Sequence, residues 1–291
     1  MTIYHQHQDT NCTLTTYIYV CYWSAWYAQQ QGHKNYFHWP KGLFVTSYDD
    51  NLMYAGIPNA YNWYFIQPDF PDGNKAPVAD RTWRWGEGRE LGQFFSQSLQ
   101  DCKAFYKKTL IFNDEVNARG QQLVDKYQID FSKTIGVTWR GTDIELDKRP
   151  YLPIETYFPW IDDILEKYPD YRIICTAEET QVLDPLLKKY NAVVIEEFEQ
   201  APKGSKQNPE RNSVKSGFER GLQPVLMVWL FSKCAHYIKN RSSTGMVASF
   251  ISDGSITTLG CDEKLTTWDA ENKMPFLPIA ERDGVQYPLY R

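Results

Sequence analysis

The chain has 291 residues, with 31 basic and 36 acidic side chains, a net charge of −5 and 42% apolar residues. That length supports a core without disulfide or metal staples, and the composition excludes a disordered chain. The acidic balance excludes a dedicated nucleic-acid binder but leaves room for a local basic pocket that takes a phosphate.

Residues 1–90 hold six of the ten Trp and ten of the twenty Tyr. His5 and His7 fall in a terminus expected to fray. The apolar stretch Tyr17 to Ala28 is about twelve residues, short of the ~20 that cross a bilayer. No Lys or Arg precedes Lys34, so a signal-peptide n-region is missing. The expectation is therefore a cytoplasmic protein without a membrane span. Gly42 to Ser47 reads as a strand, and the rest of this region as irregular with short elements. Its rings can serve as core or as an open platform for the apolar faces of a sugar. Trp23, Trp26, Trp39, Trp63, Trp83 and Trp85 are the candidates for that platform, the first four as acceptor-binding residues.

Helices follow at Glu90–Lys108, with Leu91, Phe94, Phe95, Leu99 and Phe105 on one face, and at Asp114–Tyr127. From residue 130 strands and helices alternate. Strands are expected at Thr134–Trp139, Tyr171–Thr176, Ala192–Ile195, His236–Lys239 and Ser255–Leu259. Helices are expected at Leu152–Tyr168, Glu178–Tyr190, Leu222–Lys233 and Thr244–Ile251, with a polar loop at residues 198–217. Such a series gives a parallel sheet covered on both faces, with ligands at the carboxyl ends of its strands. Six scattered Cys show no metal-ligand spacing and read as buried thiols.

Two strand ends carry chemistry. One is Trp139-Arg140-Gly141-Thr142-Asp143. The other, Asn240-Arg241-Ser242-Ser243-Thr244-Gly245, leads into a helix whose free N–H groups and dipole suit a phosphate, although Ser and Thr also cap helices without any ligand. Arg140 reads either as half of a structural salt bridge or as the bidentate partner of phosphate oxygens.

The order and spacing of these pieces resemble the fucosyltransferase-like superfamily of glycosyltransferases over roughly residues 110–260. Ile135-Gly-Val-Thr-Trp-Arg-Gly-Thr-Asp143 resembles the family's strand ending in H-x-R-R/G-T/G-D. Leu152-Pro-Ile-Glu-Thr-Tyr157 resembles the Pro-led helix after it, and Arg172-Ile-Ile-Cys-Thr-Ala-Glu-Glu179 the next strand. The stretch from Phe231 to Thr244 is similar to the family's helix, strand and Ser/Thr phosphate loop. The resemblance implies an α/β protein of GT-B fold, two Rossmann-like domains facing a cleft. The expected domains are an aromatic-rich acceptor domain at 1–125, a nucleotide-sugar domain at 126–262, and a tail at 263–291 packing back on the N-terminal domain.

The resemblance also implies a transfer of a monosaccharide, fucose first, from a nucleoside-diphosphate sugar to a glycan hydroxyl, inverting and without a metal or other cofactor. Arg140 would bind the donor diphosphate, with Ser242, Ser243, Thr244 and Gly245 on its other side, and Thr138, Gly141 and Glu178 lining the donor. Thr138 stands where the family has His, and Gly141 at its second basic position. Met227 aligns with an acid that reads guanine, so the donor is GDP- or UDP-linked, with UDP-xylose and a non-catalytic glycan binder as alternatives. Glu178 or Glu219 could read the base instead. Asp143, Glu145 and Asp147 superficially form an acidic metal motif, but are better read as candidate general bases for the acceptor hydroxyl. Asp143 could alternatively orient Arg140.

Overall fold

The computed structural model describes residues 1–6, 14–39, 59–70, 81–84, 99–141, 152–202, 215–240, 242–261, 279–282 and 285–288. They fall into two units, residues 1–120 with 214–229, and residues 121–213 with 230–291. The expected boundary between 125 and 126 lies inside a helix, and residues 214–229, expected in the second domain, cluster with the first. An apolar helical pattern states that a face is buried but not which body it is buried against.

The first unit is built on a parallel sheet of three strands, β1 (Thr2–Gln6), β2 (Lys34–His38) and β4 (Arg81–Arg84), in the order β2-β1-β4. Helix α1 (Leu14–Gln30) makes the crossover from β1 to β2. The apolar run expected to lie in irregular chain is the body of this helix. Its buried Ile18, Cys21, Tyr22, Ala25 and Ala28 recur at helical spacing. No described helix is long and apolar enough to cross a membrane. The strand expected at Gly42–Ser47 lies outside the described residues.

A short antiparallel pair, β3 (Phe65–Ile66) with β5 (Ile111–Phe112), follows a 3-10 turn at Ala60–Trp63. Asn59 caps that turn and also ties it to β2, accepting from the Trp39 and Tyr61 N–H groups and donating to the Phe37 carbonyl. Helices α2 (Leu99–Thr109) and α3 (Asp114–Tyr127) complete the run; residues 90–98 of the first lie outside the description. The aromatic wealth is spent in a ring stack: Tyr22 lies 4.5 Å from Phe37 and 4.9 Å from Tyr106, and Phe37 lies 5.1 Å from Tyr61. The Tyr22 and Tyr61 hydroxyls meet at 2.5 Å, so the stack closes on its own polar tips.

His5 is not frayed. It is fully buried in the central strand, with its Nε2 bonded to Asn35 Oδ1 at 2.7 Å. Burial pushes its pKa down to about 4, outweighing the bond to Asn35. The unfolded chain therefore takes a proton near pH 6.5 that the folded chain refuses until about pH 4, and stability falls as pH drops through that window. The loss is at most about 3 kcal/mol. Denaturant midpoints at pH 7.5 and 5.0 check this: His5→Gln should flatten the wild-type dependence, and equal slopes would remove the assignment.

The second unit is a seven-stranded sheet in the order β12-β11-β10-β9-β6-β7-β8. The strands are β6 (Thr134–Trp139), β7 (Arg172–Ala177), β8 (Val193–Val194), β9 (His236–Asn240), β10 (Ser255–Cys261), β11 (Ile279–Arg282) and β12 (Val285–Pro288). β6 to β10 are mutually parallel, and every residue of β6 is buried. Gly136 in β6 is required by close packing, since a Cβ there would sit 2.7 Å from the Phe231 ring.

Helix α4 (Phe158–Lys167) is shorter than expected, because Pro159 starts it afresh after a 3-10 turn at Ile154–Tyr157. Helix α5 is confined to Asp184–Lys189, because Glu179 instead bridges to Ala201. Helices α6 (Gly217–Phe231) and α7 (Ser243–Ile251) follow.

The described residues of the tail, 279–282 and 285–288, extend the sheet of the second unit: β11 pairs antiparallel with β10, and β12 with β11. Arg282 fixes β11 there. Its guanidinium lies 4.8 Å above the Trp160 ring, donates to Thr257 Oγ1 and pairs with Asp163 at 2.6 Å. Arg282 beside Asp163 holds that carboxyl below its ordinary range.

Candidate functional site

The chain proceeds from β6 to β7 to β8 on one side of β6, then returns to place β9 and β10 on the other. The order reverses between β6 and β9. In open α/β sheets ligands bind outside the carboxyl ends of the strands at such a point. Arg140 follows β6 there, and Ser242 follows β9.

Arg140 is held at its main chain and at its side chain. Its N–H donates to Asn240 Oδ1 at 3.0 Å, and its carbonyl accepts from Asn240 Nδ2 at 2.5 Å. Its Nε lies 3.5 Å from Glu178 Oε1, with both side chains 18% exposed. Glu178 is itself fixed by its backbone, donating to the Trp139 carbonyl and accepting from the Ala201 N–H. The expected donor-binding Glu178 therefore lies beside the Arg. Gly141 is buried, and a Cβ on it would lie 1.7 Å from Trp139 Cη2.

Ser242 is an extended N-cap, φ −150° and ψ 151°, whose Oγ accepts from the Gly245 N–H at 2.9 Å. Ser243 and Thr244 are half-buried in the first turn. A Cβ on Gly245 would lie 2.6 Å from Lys239 Cδ, so the Lys239 side chain passes directly beneath that turn. Lys239 is fully buried and donates from Nζ to Thr258 Oγ1 at 2.9 Å. Sequence reading passed over it as one residue of a short strand. The available signal was a Lys within a strand covered on both faces, where that residue type is almost never buried without partners. Two basic side chains and a helix N-terminus at neighbouring strand ends favour an anion.

Thr138 does not offer its side chain at the strand end. It is 5% exposed, its hydroxyl is bonded to the Tyr237 hydroxyl at 2.8 Å, and its carbonyl accepts from Tyr157 at 3.2 Å. Burial pushes the pKa of both tyrosines up. The Thr138 hydroxyl is thus engaged inside the core.

The Trp candidates divide likewise. Trp39 and Trp63 are 0% and 5% exposed and belong to the core of the first unit, so neither presents an open ring face. Trp26 is partly exposed on α1. The side chains of Trp23 and Trp83, and all of Trp85, Asp143, Glu145 and Asp147, lie outside the described residues. Glu219 pairs with Arg119 at 3.3 Å, and Met227 is partly exposed on α6. Among the described residues no group of three or more His, Cys, Asp or Glu could hold a metal ion. Burial pushes the Cys175 thiol up to about 12, as for an inert core thiol.

No protein-family model matches the chain, and no curated relative matches it. Solved structures do. The fucosyltransferase NodZ from Bradyrhizobium is 15% identical, with 89% of this chain and 94% of that one covered and a TM-score of 0.52. NodZ α-1,6-fucosyltransferase soaked with GDP-fucose gives 17% identity over 89% and 94%, at a TM-score of 0.50. Arabidopsis thaliana FUT1 in complex with GDP gives 10% identity over 90% of this chain and 71% of that one, at a TM-score of 0.51. These likenesses show the fold: the chain shares the α/β GT-B fold of the NodZ and FUT1 structures.

Proposed function

We propose that this chain is a glycosyltransferase that moves a monosaccharide, fucose first, from a nucleoside-diphosphate sugar to a glycan hydroxyl with inversion and without a metal. The observation that carries the reading is the pairing of Arg140, past β6, with the Ser242-capped turn of α7, past β9, on either side of the point where strand order reverses. Sugar transfer leaves a nucleoside diphosphate whose negative charge grows as the glycosidic bond breaks. An Arg fork and a helix N-terminus in fixed positions stabilise that charge without reorganising. The GDP-fucose soaked into NodZ supports a nucleotide-sugar donor here as well. Glu178, beside Arg140, remains a donor-lining residue in this reading. The base for the acceptor hydroxyl is sought among Asp143, Glu145 and Asp147, and the acceptor platform among Trp23 and Trp26.

Guanine presents an N–H and an amino group that one carboxylate accepts together, and Met227 cannot supply that contact. A UDP-linked donor is therefore the second reading. Calorimetric titration with GDP and with UDP under the same conditions tests both. Saturable binding of GDP supports the first reading. Binding of UDP alone replaces GDP-fucose with a UDP-linked donor, and heat from neither overturns the enzyme reading.

A further inference from the structure

We infer that Asn240 is a positioning residue for Arg140, a role that rests on the reading of Arg140 as the ligand of the donor diphosphate. The parallel ladder between β6 and β9 runs from Ile135↔His236 to Thr138↔Lys239 and stops there. On its other edge β9 continues one residue further, pairing Asn240 with Leu259 of β10. The Asn240 main chain is thus held by β10 at the point where its own strand has parted from β6.

Its side chain, 2% exposed, spans the gap. The amide oxygen takes the Arg140 N–H and the amide nitrogen gives to the Arg140 carbonyl. An amide has the same donor and acceptor pair as a peptide group, so Asn240 adds one rung to the ladder from a side chain. No other neutral side chain of that length offers both groups at once: Asp lacks the donor, Ser and Thr have one atom for both roles, and Leu has neither.

That rung is placed where it matters for binding. Beyond Trp139 the chain leaves the sheet, and Gly141 lies against the Trp139 ring. A strand end past its last rung loses the constraint on φ and ψ that fixes the direction of its Cα–Cβ bond. For a long side chain such as Arg, a small rotation there moves the guanidinium by ångströms. With the Arg140 peptide groups clasped by Asn240, only the side-chain torsions remain to be set, and the entropy that a diphosphate must overcome to order its ligand falls accordingly. The guanidinium touches the phosphate, whereas Asn240 acts through it.

The test is a double-mutant cycle on nucleoside-diphosphate affinity, read by calorimetry with GDP and with UDP, on proteins whose melting transitions are intact. Arg140→Ala should weaken binding by ~30-fold, the loss of charge-assisted bonds to phosphate. Asn240→Ala should weaken it by about 10-fold, the scale of a lost hydrogen-bonded pair. The double variant should bind no more weakly than Arg140→Ala alone, because Asn240 has nothing left to position. A purely structural role would make the two losses multiply, and that result overturns the inference. Asn240→Leu keeps the branched shape without either polar group, and serves the same cycle if Asn240→Ala has no melting transition. Wild-type affinity in the Asn240 variants beside a weakened Arg140→Ala overturns the role of Asn240 and leaves the donor site standing. Wild-type affinity in Arg140→Ala, or a native chain that binds neither nucleotide, overturns the donor site and this inference with it.

Discussion

Arg140→Ala is expected to lower sugar transfer by on the order of 100-fold or more, the loss that follows removal of one fixed donor to a developing oxyanion. The effect should fall on kcat more than on KM. The bound donor already carries charge on both phosphates, but the oxygen of the breaking bond gains its charge only on the way to the transition state, so its partner acts mainly there. Stability should change little. The pair with Glu178 is a 3.5 Å contact between side chains still 18% exposed, and the main-chain bonds to Asn240 do not depend on the guanidinium. Arg140→Lys keeps the charge but not the planar fork, and should recover only part of the loss. Turnover of a labelled nucleotide sugar, with a melting curve beside it, checks this. A folded Arg140→Ala with near-native kcat would place leaving-group stabilisation on another group.

The net charge of −5 does not oppose this role, because the field that matters is local. Arg140 follows β6, the fully buried Lys239 lies one residue before the end of the adjacent β9, and the α7 N-terminus adds its partial positive charge. Lys239 beneath Gly245 shows why a glycine stands in the first turn of α7. Any larger residue would press on the Lys stem or on the capping Ser242 hydroxyl, 2.9 Å from the same position.

The sheet of the second unit was legible because buried parallel strands are continuous apolar runs, as in Thr134–Trp139 and Arg172–Ala177. The positions of Arg140 just past β6 and of Ser242 just before α7 were legible because polar residues break the apolar runs there. α1 was not legible as a crossover. Its Tyr and Trp residues suit core, platform and strand alike, and no charges mark an outer face. Trp39 and Trp63 looked like binding residues for the same reason: a ring has one composition whether it is stacked in a core or open to a sugar. Asn240 and His5 were hidden because their roles depend on register. Only the pairing of β9 with β10 past the end of β6 brings the Asn240 amide to Arg140, and only the position of β1 between β2 and β4 encloses His5. The pairing of β11 with β10 was not legible either, because nothing in residues 279–288 names the strand they join.

Gly141→Ala should be nearly as damaging as loss of the Arg140 side chain, at about 100-fold in turnover, although it removes no functional group. The added methyl would lie 1.7 Å from Trp139 Cη2, in the six-membered half of the indole. That ring cannot give way cheaply. Trp139 is 2% exposed, its indole N–H donates to the Leu152 carbonyl at 2.7 Å, and it lies in the core cluster with Ile154, Trp160 and Ile238. Inserting atoms into such packing costs ~1–3 kcal/mol, so the melting temperature should fall as well. The strain is relieved most easily where the chain has left the sheet, and the residue that moves is Arg140. A displacement of about 1 Å at a charged ligand of the transition state is enough for the loss given above. Trp139→Phe separates this from simple unfolding, since it deletes the part of the indole that the methyl meets. The pair Gly141→Ala with Trp139→Phe should therefore recover turnover relative to Gly141→Ala alone, whereas two independent injuries to the core would compound. Full turnover in the single variant would mean that Arg140 is not held in place by the packing of Gly141 on the Trp139 ring.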